Sequence, residues 1–262
     1  LLSVLCNHKG VNKISIYFKQ KDKIMKIKYA TISEKGRRYN NEDAFRVIEH
    51  PEKNRWLGIV CDGMGGHSMG EVASETVIGK ITDYWEKNID TPDSKEKVVK
   101  ACKKASVAID EKSFDMHHCE MGTTMAMISI EGSKATIAHI GDSRCYLIRK
   151  GYYDYDDITN PDKDHVVYRT TDHLKAGGVL IARCFISYRP EVAIPDVAQF
   201  DVEPGDRILI CSDGLYNCVL PNILVDRMLD DKTPEQILDT FAFLCERSGD
   251  DNYTGIMAII EE

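Results

Sequence analysis

Short apolar runs, most of them rich in Val, Ile, Tyr or Thr and bounded by Gly, Asp or Asn, recur along the chain. This pattern is typical of β-strands that end in turns. It predicts ten strands, over residues 26–32, 44–49, 56–61, 123–130, 135–140, 144–149, 166–171, 197–202, 207–211 and 256–260.

Three other segments carry apolar residues at spacings of three and four, which is the period of an amphipathic helix. The third of them begins at a capping box over residues 233–236, with Pro234 in its first turn, and Gly249 ends it. The apolar positions are Ala73, Val77, Ile81, Tyr84 and Trp85 in the first segment, Val98, Cys102, Ala105 and Ile109 in the second, and Ile237, Phe241 and Leu244 in the third.

The order of these elements predicts the fold class. Many strands in hairpin order, with two helices between strands and a third before the last strand, favour an α+β fold in which helices pack on antiparallel sheets. Residues 1–24 differ in pattern from the rest. We therefore expect an N-terminal extension over 1–24 outside the core, followed by one domain over 25–262.

Composition excludes several classes of protein. The formal net charge of −8, with no clear basic cluster, argues against a nucleic-acid partner. The sequence has no run of about eighteen apolar residues, so no membrane span is predicted. The nine cysteines are unpatterned, and several lie inside apolar runs, as expected in a reducing compartment such as the cytoplasm.

The candidate chemistry lies in short acidic segments at the ends of predicted strands. They cover residues 38–43, 62–67, 141–144, 212–214 and 250–252. Carboxylates, backbone carbonyls and water are the ligands that Mg²⁺ and Mn²⁺ prefer. Any one segment is more often an ordinary turn, but gathering several carboxylates without cations raises their pKa values through repulsion. If the segments meet in the fold, they predict a metal site.

Seven motifs occur in one order along the chain: RxxNED, DGMGGH, MGTT, GDSR, TxDH, SDGL and DN. From about Met25 to Ile260 this set resembles the metal-dependent protein serine/threonine phosphatases of type 2C, and the bacterial-type branch in particular. The resemblance implies a four-layer α-β-β-α sandwich, in which two antiparallel sheets are flanked by helices. It also implies two Mn²⁺ or Mg²⁺ ions at one end of the sandwich, and a third, weakly bound ion.

The resemblance assigns a role to each matching residue. Asp62 would bridge the two ions, with Glu42 and the backbone carbonyl of Gly63 on one of them and Asp213 and Asp251 on the other. Asp43 would hold metal-bound water. Asp142 would bind the third ion together with Asp213. Arg38 would bind the substrate phosphate.

A mechanism is also implied. Two ions about 4 Å apart lower the pKa of a bridging water, and the resulting hydroxide attacks phosphorus in line, without a phospho-enzyme intermediate. Relatives in the eukaryotic branch carry a histidine after the DG pair, where this chain has Met64. We expect metal-bound water to be the general acid, and for His67 a role in helix entry is favoured over catalysis.

The chain departs from the family pattern between the TxDH and SDGL motifs. The mobile helical flap that bacterial-type members usually carry there is largely missing, and residues 174–180 take its place. The segment from 149 to 170 is longer instead, with an acidic, Tyr-rich tract at 152–157. That tract could cover the cleft or extend a hairpin, and the hairpin is favoured.

The leading hypothesis is a Mn²⁺- or Mg²⁺-dependent phosphatase that hydrolyses phosphoserine and phosphothreonine in cytoplasmic signalling. Its substrates would be proteins phosphorylated by a Ser/Thr kinase, and we expect a monomer. One alternative is a catalytically silent regulator that binds phosphoproteins, although such relatives lose metal ligands and this chain retains them. Another is a hydrolase of a small phosphorylated metabolite, for which the shortened flap leaves room.

Overall fold

The computed structural model describes residues 25–64, 69–153, 164–178 and 180–261. The predicted extension over 1–24 lies outside them. In chain order the strands are β1 (Lys26–Glu34), β2 (Asp43–His50), β3 (Arg55–Met64), β4 (Gly122–Thr123), β5 (Met125–Glu131), β6 (Lys134–Ile140), β7 (Arg144–Ile148), β8 (Val166–Arg169), β9 (Phe185–Ile186), β10 (Asp196–Asp201), β11 (Arg207–Cys211) and β12 (Tyr253–Glu261). The helices are α1 (Met69–Lys87), α2 (Lys95–Asp115), α3 (Asp213–Tyr216), α4 (Pro221–Met228) and α5 (Pro234–Ser248).

The strands form two antiparallel sheets. One has the order β1-β12-β11-β7-β8, and the other has the order β10-β6-β5-β3-β4-β9, with β2 also paired to β3. Alternation along each strand gives both sheets two apolar faces. In β11, for example, Ile208 and Ile210 face the other sheet, whereas Leu209 and Cys211 face the helices.

Three layers of buried side chains hold the fold together. The inner layer joins the sheets and includes Trp56, Ile128 and Ile256. Helices α1 and α2 cover the outer face of the sheet that contains β3, and α3, α4 and α5 cover the outer face of the sheet that contains β11. These layers confirm the α+β class and the α-β-β-α order of the sandwich.

All ten predicted strands are present. The strand predicted over 123–130 is interrupted at Thr124, which lies opposite Asp62 of β3. The Thr124 N–H donates to the Asp62 carbonyl, but the Asp62 N–H donates to the Thr124 hydroxyl in place of the backbone carbonyl that a regular ladder would use. Helix α5 has the predicted capping box, and Gly249 ends it with an extended backbone at φ −83° and ψ 142°. Helices α3 and α4 and the two-residue strand β9 were not predicted. No helix within the described ranges is both long and apolar enough to cross a membrane.

Candidate active site

The acidic segments meet at one end of the sandwich. Asp43 begins β2 and lies opposite Asp62 of β3 in the strand register. Asp213 follows β11, and Asp251 precedes β12, which pairs with β11. A cleft of about 460 Å³ opens here, lined by Arg38, Tyr39, Asn40, Glu42, Asp62, Gly63, Met64, Asp142, Ile181, Asp213, Asp251 and Asn252. The structure thus brings the predicted ligands together, and their roles toward a metal stay predictions.

Asn252 connects the segments that carry the acidic residues. Its side-chain amide donates to the carbonyls of Lys35 and Asn40, both at 2.8 Å. The amide oxygen accepts from the N–H of Glu42 at 2.9 Å. Both donors and the acceptor of this buried side chain are therefore paired. Through them, Asn252 holds the loop before β2 beside Asp251. The DN motif contained Asn252, but the sequence did not indicate this long-range role.

Asp43 is buried behind the cleft. Its carboxylate accepts from the hydroxyl of Ser212 at 2.7 Å, and the Ser212 oxygen in turn accepts from the N–H of Thr254 at 3.0 Å. Burial raises the pKa of Asp43 to about 6, and the charges of Asp213 and Asp251 act in the same direction. Ser212 thus fixes the orientation of a carboxylate that lies behind the cleft-lining acids.

Asp62 and Asp213 both line the cleft. Burial raises the pKa of Asp62 well above its usual range, and the neighbouring carboxylates add to the effect. The pKa of Asp213 is raised first by burial and then by the charge of Asp251. Carboxylates crowded in this way exist as anions at neutral pH only at a cost in free energy.

Asp142 lies between β6 and β7. Burial raises its pKa to about 6, and the charge of Asp213 contributes to the same shift. Its Oδ1 atom is buried and has no hydrogen-bond partner among the described residues. A carboxylate oxygen in this condition is poorly stabilised by the protein alone, and a cation would supply the missing interaction.

The backbone around Gly63 leaves no space for a side chain. Its N–H donates to the carbonyl of Glu42 at 3.1 Å, and a Cβ at this position would meet the carbonyl oxygens of Gly70 and Glu42. A Cβ on Gly70 would likewise meet the carboxylate of Glu42. The two glycines let the start of α1 pass close to the end of β3, which keeps Glu42 in the cleft.

Arg38 lies at the rim of the cleft. Its guanidinium donates to the Asp251 carboxylate at 2.7 Å, and 58% of the side chain is exposed. The adjacent Arg37 instead pairs with Asp250 at 2.8 Å, where 85% of the acidic side chain is exposed. Arg38 therefore has access to a ligand in the cleft, and its predicted role toward a phosphate stays a prediction.

The site as a whole fits Mg²⁺ or Mn²⁺. Its side-chain donors are carboxylate oxygens, which hard cations prefer. Their pKa values are raised first by burial and then by repulsion between neighbouring carboxylates, and a bound cation would offset both effects. Of the DGMGGH motif, residues 65–68 lie outside the described residues, so the expectation for His67 is not addressed.

The segment that takes the place of the flap is short. Leu174 and Ile181 form an isolated antiparallel bridge, and the N–H of Lys175 donates to the carbonyl of Leu180 at 2.7 Å. In the longer connection before it, the N–H of His165 donates to the carbonyl of Tyr152 at 2.8 Å, which continues the antiparallel pair of β7 and β8. The base of this connection is thus a hairpin, and residues 154–163 at its tip lie outside the described ranges.

Known proteins share both the sequence pattern and the fold. The sequence profile of the Protein phosphatase 2C family matches residues 33–258. The serine/threonine protein phosphatase PstP of Mycobacterium tuberculosis is 30% identical over 245 residues, which cover 88% of this chain and 45% of that protein. The serine/threonine phosphatase stp of Listeria monocytogenes is 28% identical over 244 residues, covering 86% of this chain and 92% of the relative.

Solved structures agree with these matches. The catalytic domain of PstP in complex with two manganese ions is 28% identical and superposes with a TM-score of 0.73, covering 90% of this chain and 99% of that domain. A serine/threonine phosphatase of S. agalactiae is 25% identical, with a TM-score of 0.72 and coverage of 90% and 100%. This chain spans less than half the length of the M. tuberculosis protein it matches. On the evidence of its sequence motifs, its sandwich and its acidic cleft, the chain belongs to the protein phosphatase 2C family.

Proposed function

We propose that this chain is a metal-dependent phosphatase that hydrolyses phosphoserine and phosphothreonine in proteins. The observation that carries the proposal is the convergence of four aspartates and Glu42 on one cleft, with Asp43 buried behind them and Arg38 at the rim. The names of the relatives support the reaction, and the two manganese ions in the PstP catalytic domain support the cofactor.

Two Mn²⁺ or Mg²⁺ ions, with a third bound more weakly, would be held by Glu42, Asp62, Asp142, Asp213, Asp251 and the carbonyl of Gly63. When bound, they would lower the pKa of water in the cleft and offset negative charge on the phosphoryl group. Asp43, oriented by Ser212, would accept a hydrogen bond from water beside these ligands. Within the described ranges no histidine lines the cleft, and water beside these ligands would protonate the leaving alkoxide.

Arg38 would bind two oxygens of the substrate phosphate. Its exposed guanidinium pairs with Asp251 on one side and faces the cleft, and the guanidinium fork matches the geometry of a phosphate. Such a contact would also stabilise charge that develops on the equatorial oxygens during transfer.

The test of the metal ligands is hydrolysis of a phosphoserine peptide and of p-nitrophenyl phosphate in Mn²⁺. We expect Asp62→Asn and Asp213→Asn to lose almost all activity while they remain folded. Asp250→Asn is the matched control, because this exposed neighbour of Asp251 faces Arg37 rather than the cleft. Equal rates in the parent and the two cleft variants would refute the proposal.

The test of Arg38 uses its neighbour in the same way. Arg38→Ala should lower kcat/KM about 10- to 100-fold, since a hydrogen bond to a charged group contributes about 1.5–3 kcal/mol. Arg37→Ala removes a guanidinium of similar exposure from an exposed pair and should change the rate little. A loss of the same size in both variants would contradict a specific phosphate contact.

The same assays separate the alternatives. A silent phosphoprotein-binding regulator would show no rate in either EDTA or Mn²⁺, and a metabolite hydrolase would prefer small phosphate esters to phosphopeptides. We further propose that the protein acts as a monomer in cytoplasmic signalling, on substrates of a Ser/Thr kinase. The described cysteines are free thiols, which supports a reducing compartment. The catalytic domain is proposed to span residues 25–262, with 1–24 outside its core.

A further inference from the structure

The Asp142 carboxylate is aimed by its backbone. Because Oδ1 has no hydrogen-bond partner among the described residues, the side chain is not fixed through that atom. The carbonyl of Asp142 accepts from the hydroxyl of Tyr216 at 3.1 Å. The preceding Gly141 has a φ of +104°, and a Cβ there would lie 2.7 Å from Cγ2 of Thr124. The direction of the carboxylate therefore depends on what holds the Gly141 peptide.

His173 holds both polar groups of Gly141. The Gly141 N–H donates to Nδ1 of the imidazole at 3.2 Å, and the N–H of His173 donates to the Gly141 carbonyl at 2.9 Å. The His173 side chain is almost fully buried, with 3% of it exposed. One residue of the TxDH motif thus clamps the glycine of the GDSR motif.

The clamp requires one tautomer of His173. Nδ1 must be free of hydrogen to accept from Gly141, so the neutral ring carries its proton on Nε2. Nε2 lies 3.0 Å from Oδ2 of Asp196, which can only accept when it is ionised. Arg183 keeps Asp196 ionised by donating to both of its oxygens, at 2.8 and 3.1 Å. Arg183, Asp196 and His173 therefore form a chain of matched donors and acceptors that ends on Gly141.

The short segment in the place of the flap delivers Arg183 to this chain. After the bridge between Leu174 and Ile181, the N–H of Ala182 donates to the carbonyl of His173 at 2.7 Å. The segment therefore begins after His173 and ends at a backbone hydrogen bond to His173. The next residue, Arg183, then contacts Asp196. In the described residues it contacts the clamp directly, so it can act as a fixed brace of the site.

A metal ion shared by His139, His173 and Asp196 is the rival explanation, since their ligand atoms lie within 4.8 Å of one another. The two imidazole rings are stacked, with centroids 4.3 Å apart and an interplanar angle of 22°, rather than pointing at a common centre. Nε2 of His139 lies 2.8 Å from the carbonyl of Thr171. The guanidinium of Arg183 already provides the positive charge beside Asp196. These contacts favour a hydrogen-bonded clamp.

We propose that His173, held in one tautomer by Asp196 and Arg183, is a positioning residue that fixes the Gly141 peptide and so aims Asp142 at the most weakly bound metal ion of the cleft. The inference rests on the proposed function, because it assumes that Asp142 is a ligand. It predicts that damage to the clamp weakens one metal-binding step and leaves the tighter steps unchanged.

The test is titration of the purified chain with Mn²⁺ by calorimetry, with melting temperatures in EDTA measured in parallel. In His173→Gln the side chain can still reach Asp196, but it has no acceptor at the Nδ1 position. We expect the weakest Mn²⁺-binding step to be weakened about 10- to 100-fold, which is typical when a residue outside the ligand set that orients a metal ligand is replaced. His173→Asn places an amide oxygen near the Nδ1 position and should retain most of the parent affinity. His118→Asn, in an exposed loop, is the control for the substitution itself.

Rescue by Asn but not by Gln, with the tighter steps intact, supports the clamp. Parent-like binding in His173→Gln would overturn it, as would an equal loss of every step together with a lowered melting temperature. Zn²⁺ bound by the parent and lost in His139→Ala would establish the rival metal site and overturn the clamp. Binding does not depend on turnover, so the expected binding pattern in a parent that hydrolyses nothing would support the clamp and refute the proposed reaction. A parent that binds no Mn²⁺ would refute both.

Discussion

Replacing Asp142 by Asn should stabilise the metal-free protein at neutral pH. Asp142 has a pKa raised from 3.8 to about 6 by burial and then by the charge of Asp213, and its Oδ1 atom has no partner among the described residues. The ionised carboxylate therefore opposes folding when no cation is present. Asn keeps the shape of the side chain and removes the charge.

The magnitude and sign follow from linkage. A pKa raised from 3.8 to about 6 in the folded state corresponds to about 3 kcal/mol, at about 1.4 kcal/mol for each pH unit. Below the pKa of the unfolded state the carboxyl group is neutral in both states, so it does not oppose folding. This favourable condition is lost as the pH rises through the folded pKa. The extra stability of the variant should thus be absent near pH 3.8, grow toward pH 6 and stay constant above it. About 3 kcal/mol is its upper limit, because the new amide also needs hydrogen-bond partners.

Urea denaturation in EDTA measures the effect, at about pH 7.5 and about pH 4. Asp250→Asn is the control, because this residue is exposed and outside the cleft. Added Mn²⁺ should stabilise the parent more than Asp142→Asn, since the parent retains the extra ligand. A variant that is less stable than the parent in EDTA at the higher pH, or a difference that does not change with pH, would refute the reasoning.

Three further outcomes are expected in the same denaturation experiments. Gly214→Ala should destabilise the protein by about 1–3 kcal/mol, because the new Cβ would meet the carbonyl of Asn252. Gly79→Ala in α1 places its Cβ in open space and should stabilise the protein by about 0.5–1 kcal/mol. Equal effects of the two substitutions would contradict the close approach at Gly214. Phe241→Ala, at a fully buried position, should lower the free energy of unfolding by about 3–5 kcal/mol. Phe243 is 53% exposed, so Phe243→Ala should lower it by less than about 1 kcal/mol. The reverse order would contradict the packing of α5. Mn²⁺ at 100 times its dissociation constant should stabilise the parent by about 2.7 kcal/mol, and a melting curve that Mn²⁺ does not shift would contradict binding to the folded state.

The regular elements were largely predictable because their signals are local. The alternation of Ile208 and Ile210 with Leu209 and Cys211 already describes a strand between two apolar layers, and β11 is that strand. The capping box at 233–236 identifies the start of α5 in the sequence. Each of these patterns depends on side chains a few positions apart, so it can be read without a fold.

The elements that were missed are short or depend on distant partners. Helix α3 has four residues and strand β9 has two, too few for a period to be recognised. Thr124 breaks a predicted strand because its hydroxyl, in place of its backbone carbonyl, accepts from the N–H of Asp62, a residue 62 positions away. Neither the hydrogen bonds of Asn252 nor those of His173 can be inferred from their neighbours in the chain.

By itself, the sequence determined which residue types stand at the ends of which strands, and the order of motifs from RxxNED to DN identified the family to which they belong. Only the tertiary structure decided that Asp62, Asp142 and Asp213 share one cleft, that their pKa values are raised, and that a histidine clamps the loop of one of them. The reason is that Coulomb repulsion, desolvation and hydrogen bonding depend on distances through space and on burial, and the packing of the two sheets sets both.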